Sequence, residues 1–336
     1  MTRDDWSTRR QAAAFAAVRR AVLATQAARA LIDRAASETI AKDDASPVTI
    51  ADFASQAIVV RMLAHLLGAA PILGEESDTA LRDEAHRAIL DAVVAAADAA
   101  EEGIDAEEIL EALATPKADP RNGPCWALDP VDGTKGFLRG GQYAIALAWI
   151  AGENGRGTPA ESVIASPALD PTAADPATPS SPGVIAVAAP RSGARIASLA
   201  GGESAALVAH DWKRGDPIRL ALSFERAHGD ADSAVTLARR IGETFEPFRL
   251  DSCSKYLLVA NGRADAYLRI PRDATRAECV WDHAAGVRIA MESGCTVCDL
   301  RGEPLDFGRG PTLSANVGIV VAPPRLAEAL VAAARA

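Results

Sequence analysis

Asp129 and Asp132 stand three residues apart in LDPVDGT, with a proline between them and a glycine after. Pro130 restricts the chain, and Gly133 permits a tight turn or close approach to a ligand. Such a loop can direct both carboxylates and the Val131 carbonyl at one cation. Three other stretches place acids beside apolar runs: Asp52 in VTIAD, Glu75 and Glu76 in LGEES, and Asp282 in WDHAAG. Clustered carboxylates repel one another unless protonated or neutralised. A divalent cation resolves that repulsion, and all-oxygen donors favour Mg²⁺, Mn²⁺ or Ca²⁺ over zinc.

Each stretch also has a plainer reading. Asp-Pro-x-Asp-Gly is a common turn. Glu75 and Glu76 can be the solvated start of a helix. Asp52, Thr134 and Asp282 can each cap a helix. Only convergence in space would separate these readings.

The elements that must position the acids are mixed. Apolar residues at three- and four-residue steps predict a helix over about 10–36 and another from Asp52 to Leu66, stopped at Gly68. Between them Pro47 biases Ser46 away from helix, and 48–50 reads as extended. APIL is a short strand that ends in GEES. Helical patterns cover about 82–99 and 105–114. Residues 125–151 read as strand, turn, strand. The stretch 152–183 is rich in Gly, Pro, Ser and Thr around a short strand at 162–164. A second half begins near 184. It carries a helix in HGDADSAVTLARRIG, a strand read over SKYLLVANGRADAYLRI, a helix from WDHAAG and a last strand at 317–322.

Composition excludes several function classes. Thirty-five basic against 45 acidic residues give a net charge of −10. That disfavours a nucleic-acid polymer or an anionic membrane as partner. Aromatic content of 4% leaves little for single-strand stacking. The five cysteines are scattered, and the CxxC at Cys295 and Cys298 lacks a second pair, so neither a disulfide framework nor a zinc site is indicated. No signal-peptide core and no uninterrupted apolar run of membrane length is seen, and the expected location is cytoplasmic. No P-loop is present.

Taken together, WALDPVDGTKGFLRGGQYAIAL (126–147) and WDHAAG (281–286) resemble the magnesium-dependent, lithium-sensitive inositol monophosphatase superfamily. KDDASPVTIAD (42–52), GEES (74–77), DSCSKY (251–256), ADAYLR (264–269) and PLDFGRG (304–310) extend the match over most of the chain. KGFLRG and KxDxSPVTxAD are similar to its 3′(2′),5′-bisphosphate nucleotidase branch. The resemblance implies a layered αβαβα sandwich. It also implies a metal-binding domain over 1–160 and a nucleotide-binding domain over 184–336, joined by a flexible connection near 165–183.

The resemblance also assigns roles. Glu75, Asp129, the Val131 carbonyl, Asp132 and Asp282 would hold two or three Mg²⁺, with Mn²⁺ as substitute, and Asp52 would join that network. Thr134 would work with Asp52 on the attacking water. Gly133 and Thr134 would offer backbone N–H groups to the phosphate. His228, Ser252, Lys255 and Arg269 would contact the nucleotide and its 5′-phosphate. The implied reaction is hydrolysis of the 3′-phosphate of adenosine 3′,5′-bisphosphate, with the 5′-phosphosulfate analogue as a second substrate. An inositol (poly)phosphate 1-phosphatase or monophosphatase is the alternative within enzymes, and a catalytically silent nucleotide binder the alternative outside them. No obligate protein partner is evident. Cys253 and Cys295 replace the glutamine and glycine common in the family, and neither replacement removes an expected ligand.

Overall fold

The computed structural model describes residues 3–32, 40–41, 47–153, 155–224, 231–241, 244–271, 273 and 277–335. The described helices are α1 (Arg3–Ile32), α2 (Ile50–Leu67), α3 (Arg87–Asp98), α4 (Ala106–Leu113), α5 (Thr134–Leu138), α6 (Ala231–Arg240), α7 (Ser254–Ala260), α8 (Ala284–Glu292) and α9 (Pro324–Arg335). The strands begin with β1 (Ile40–Ala41), β2 (Pro47–Val48), β3 (Ile72–Gly74), β4 (Cys125–Asp132), β5 (Ala144–Glu153), β6 (Arg156–Ser166) and β7 (Val184–Ala188). They continue with β8 (Ala194–Ser198), β9 (Ala205–Leu207), β10 (Ile218–Leu222), β11 (Phe245–Arg249), β12 (Ala266–Arg269), β13 (Thr296–Cys298) and β14 (Ile319–Ala322).

Two sheets form. One has seven strands in the order β3-β4-β5-β6-β7-β8-β9, and the other five in the order β11-β10-β12-β14-β13. Alternation along the strands, outside their bulges, assigns the two faces of each sheet to different cores. In β4, Trp126 and Leu128 pack with Val18, Phe53, Leu63 and Val93 of α1 to α3. Cys125 and Ala127, between them, face the other way and pack with Tyr256, Leu257 and Ile289 of α7 and α8. In the second sheet, Tyr267 and Val321 join that same middle core. Leu268 and Val320 turn outward to Leu237, Leu326 and Leu330 of α6 and α9. The layers therefore run helix, sheet, helix, sheet, helix. Each fully buried leucine or phenylalanine contributes on the order of 2 kcal/mol.

Residue size sets how close the middle layer comes. The sheet face toward α7 and α8 is lined by alanines 127, 144, 146 and 148. At Gly286 of α8 an added Cβ would meet the Tyr256 ring at 2.3 Å. Small residues let the middle helices seat directly on the sheet that carries the DPVDG loop.

Three expectations are corrected. First, 165–183 is not a break between sheets. β7 pairs antiparallel with β6 from Ser162↔Ala188 to Ser166↔Val184, so the first sheet runs on through β9, and the second starts only at Ile218. The connection is also tied down: Gln142 Nε2 donates to the carbonyls of Ala168 and Pro176 at 2.8 and 3.1 Å, and Leu169 is buried. Second, SKYLLVA is helix rather than strand. All seven residues of α7 are buried, so no apolar period marks them, and the turn at Gly262, φ +73°, separates α7 from β12. Third, the stretch at 162–164 is part of an eleven-residue strand.

α2 has a mean hydropathy of 1.4 over 18 residues, long and apolar enough to cross a membrane, yet two thirds of it is packed inside the protein. It behaves as a core helix. Cys295 and Cys298 fall in different cores, and all five cysteines are free thiols.

Candidate active site

The strand β4 breaks its own regularity at the acids. Asp129 pairs with Ala146 and Asp132 with Ala144, so three steps on β4 match two on β5. The extra residue is a β-bulge, and Pro130, which lacks an N–H, sits inside it. Without the bulge, residues three apart would point to opposite faces. With it, Asp129 and Asp132 both join the face shared by Ala144 and Ala146. On the neighbouring strand β3, Gly74 is level with Leu128. One further step brings Glu75 level with Asp129.

Asp52 enters from α2. Thr49 caps that helix, and Asp52 is the third residue of a capping box. Its Oδ2 accepts from the Thr49 N–H at 2.9 Å and the Thr49 hydroxyl at 2.6 Å. Its Oδ1 is 3.5 Å from Thr134 Oγ1. The cap and the site therefore use different oxygens of one carboxylate. Thr134 Oγ1 is also 3.2 Å from the Val131 carbonyl, and its one hydrogen chooses between them. Thr134 is the first residue of α5, after Gly133 in left-handed conformation. Asp282 precedes α8, whose first turn shows no side-chain cap. The simple-cap readings thus fail for Thr134 and Asp282, and Asp52 combines capping with its place in the site.

Asp129 lies within electrostatic reach of Glu75, Asp132, Asp282 and Asp52. Burial, then the charges of Glu75, Asp132, Asp282 and Asp52, push Asp129 well above the usual carboxylate range. Burial, then Asp132 and Glu75, do the same to Asp282 against the pull of Arg269. Burial and the charges of Glu76 and Glu75 raise Asp52 in spite of Thr49. Glu76 itself is buried, which removes the solvated-helix reading of GEES.

Beside the cluster, the ligand-capable atoms of Glu278, Asp282 and His283 lie within 4.8 Å of one another. Burial alone would raise Glu278, but hydrogen bonds from His283 and Arg269 hold it well below the carboxylate range. Burial keeps His283 neutral-leaning, with its pKa lowered. Its Nδ1 is 3.0 Å from the Tyr256 hydroxyl and its Nε2 3.4 Å from Glu278. Glu278 and His283 thus have partners within the protein, and Asp282 is the member that faces the other acids. Such an oxygen-rich donor set can hold a hard divalent cation.

The second half closes over the loop. Ser252 has φ +67°, and an added Cβ at Gly133 would stand 3.1 Å from its side chain. The Cys253 backbone N–H donates to Asp132 Oδ2. Arg139 donates to Asp251 Oδ2 at 2.7 Å. Lys255 is buried, and its Nζ donates to the carbonyls of Leu250 and Ser252 at 3.2 and 2.5 Å. Burial pushes its pKa down to about 8. Arg269 is buried and pairs with Glu278 at 2.8 Å. The Ser252 hydroxyl donates to Ser254 at 2.8 Å. Ser252, Lys255 and Arg269 are thus brought toward the acids, each held by protein partners. His228 lies outside the described residues. Sequence reasoning did not assign roles to Glu278 or His283, nor pair Arg139 with Asp251, although His283, Asp251 and Arg139 stand inside the WDHAAG, DSCSKY and KGFLRG motifs and Glu278 lies four residues before Asp282.

Comparison with known proteins gives a consistent picture. The model of the inositol monophosphatase family matches residues 6–336. A protein named 3′(2′),5′-bisphosphate nucleotidase from Schizosaccharomyces pombe is 37% identical over 322 residues, covering 92% of this chain and 90% of that one. Another of the same name from Emericella nidulans is 33% identical, covering 95% of each chain. Among solved structures, CysQ from Bacteroides thetaiotaomicron, a bacterial member of the inositol monophosphatase family, superposes with a TM-score of 0.57 at 22% identity, covering 93% of this chain and 97% of that one.

Proposed function

We infer the reaction from family and site together: the chain belongs to the inositol monophosphatase family, in the branch of the 3′(2′),5′-bisphosphate nucleotidases. It hydrolyses the 3′-phosphate of adenosine 3′,5′-bisphosphate, giving AMP and phosphate, in a Mg²⁺-dependent reaction. The observation that carries this is the convergence of five acids from four chain segments, with Thr134 Oγ1 3.5 Å from Asp52.

Glu75, Asp129, the Val131 carbonyl, Asp132 and Asp282 would hold two or three Mg²⁺, with Mn²⁺ as substitute. Those ions supply Lewis acidity and neutralise phosphoryl charge. The chain's own residues do the rest. Thr134 can accept a hydrogen bond from the attacking water while donating its own hydrogen to Asp52 Oδ1. Asp52 Oδ1 is the oxygen open to that hydrogen, because Oδ2 is held by Thr49. The backbone N–H groups of Gly133 and Thr134 orient the phosphate. Lys255 has three donors, two of them on carbonyls, and the third would meet the 5′-phosphate. Arg269 and Ser252 complete that side, and phosphoryl transfer depends mainly on such positioning and charge.

The test is phosphate release with Mg²⁺ from adenosine 3′,5′-bisphosphate and from inositol 1-phosphate, each with and without Li⁺. Preference for the bisphosphate, inhibited by Li⁺, is expected. Preference for inositol 1-phosphate would move the chain to the monophosphatase branch. Tight nucleotide binding without turnover would make it a silent binder.

A further inference from the structure

The face of α2 that carries Asp52 also carries Ser55 and Gln56, three and four residues on, and so on the same side of the helix. Both are buried, and neither belongs to the acid cluster. Gln56 Nε2 donates to the Glu76 carbonyl at 2.9 Å, and its Oε1 accepts from the Glu76 N–H at 2.9 Å. One amide side chain thus satisfies both backbone groups of the loop that presents Glu75. Gly74 makes this approach possible: an added Cβ there would stand 2.7 Å from Gln56 Oε1. Ser55 is fully buried, and its Oγ donates to the Pro130 carbonyl at 2.8 Å. Pro130 is the bulge residue between Asp129 and Val131. The loops of Glu75 and Asp129 come from different strands, and each is fastened to the same one-turn segment of α2.

We propose that Ser55 and Gln56 are positioning residues for the cation site: through Glu76 and Pro130 they lock both acidic loops to the helix that bears Asp52. This rests on the metal-site reading given above. A packing role alone would cost stability. A positioning role also costs metal affinity, typically about tenfold or more when a ligand's supporting partner is lost.

Mn²⁺ binding to the full chain, measured by calorimetry and by the spin-resonance signal of free Mn²⁺, separates the two. Val93→Ala, in the α3 core, serves as a variant that loses stability away from the site. Gln56→Ala and Gly74→Ala are each expected to weaken Mn²⁺ binding by about tenfold, while Val93→Ala leaves it unchanged. The double variant Gly74→Ala with Gln56→Ala is expected to be no weaker than Gln56→Ala alone, because the three atoms nearest the added Cβ all belong to the Gln56 amide. Ser55→Ala, a gentler change, is expected to lose about fivefold, and it carries the test if Gln56→Ala does not fold. Unchanged Mn²⁺ affinity in the folded single variants, or losses that multiply in the double variant, would overturn the proposal. A wild-type protein that binds no Mn²⁺ would overturn the metal reading and this one together. Wild-type binding with unchanged Gln56→Ala would overturn this one alone.

Discussion

Asp129 is 2% exposed and Asp265, just before β12, is 0% exposed, yet their surroundings are opposite. Asp265 accepts two bonds from the Arg219 guanidinium at 2.8 and 2.7 Å, one from the Arg219 N–H at 2.8 Å, and faces His210. Burial alone would raise it, but these partners hold it below the usual range. Asp299 and Asp306 follow the same pattern: Asp306 accepts from the N–H groups of Gly157 and Gly308 at 3.0 Å and from Arg309. Asp129, Asp52 and Asp282 instead face other carboxylates, and all three are raised. Burial does not tell a structural aspartate from a functional one. The sign of the charge opposite does.

The largest effect should come from neutralising the repelling set. Asp129→Asn is expected to reduce Mg²⁺-dependent phosphate release by about a thousandfold or more. The same change removes a buried repulsive charge, so melting of the metal-free variant should stand at or above wild type. Near-normal turnover would erase the distinction between the two sets. Asp265→Asn should behave in the opposite way. It leaves Arg219 facing a neutral amide, and urea unfolding should show a loss of about 3 kcal/mol, with kcat retained in the folded protein. Stability equal to wild type would mean that Asp265 is no better satisfied than Asp129.

A smaller effect sharpens the cationic side. Burial lowers Lys255 to about 8, so its charge is lost as pH rises through that value. The kcat/KM for the bisphosphate should fall above about pH 8, while a 3′-monophosphate lacks that limb. Lys255→Arg should move the limb upward, because a guanidinium stays charged. A bisphosphate profile that matches the monophosphate would remove Lys255 from the 5′-phosphate site.

Side-chain signals are legible in the sequence, and backbone partners are not. LDPVDGT was readable because proline and glycine punctuate it, and the bulge at Asp129 and Asp132 is the structural form of that punctuation. Ser55 and Gln56 were not, because their partners are the carbonyls and N–H groups of Pro130 and Glu76, which no residue letter marks. α7 read as strand because a segment buried on every side has no apolar period. The connection expected near 165–183 does not separate the two sheets: it looks like a linker by composition, while β6 and β7 pair directly across it. PLDFGRG was legible as a motif only. The structure shows Asp306 fastening its loop to Gly157 at the start of β6.

Thermal unfolding of the wild-type protein in chelator and in Mg²⁺, across pH, tests the cation site most directly. Raised carboxylates bind more protons folded than unfolded, so the metal-free protein should lose stability as pH rises from the unfolded carboxylate range, about pH 4, toward the raised folded values of Asp129, Asp52 and Asp282. Mg²⁺ should raise the melting temperature most at the upper end and flatten that slope. Melting curves that ignore Mg²⁺ at the upper pH, or a metal-free protein that gains stability over the same interval, would contradict it.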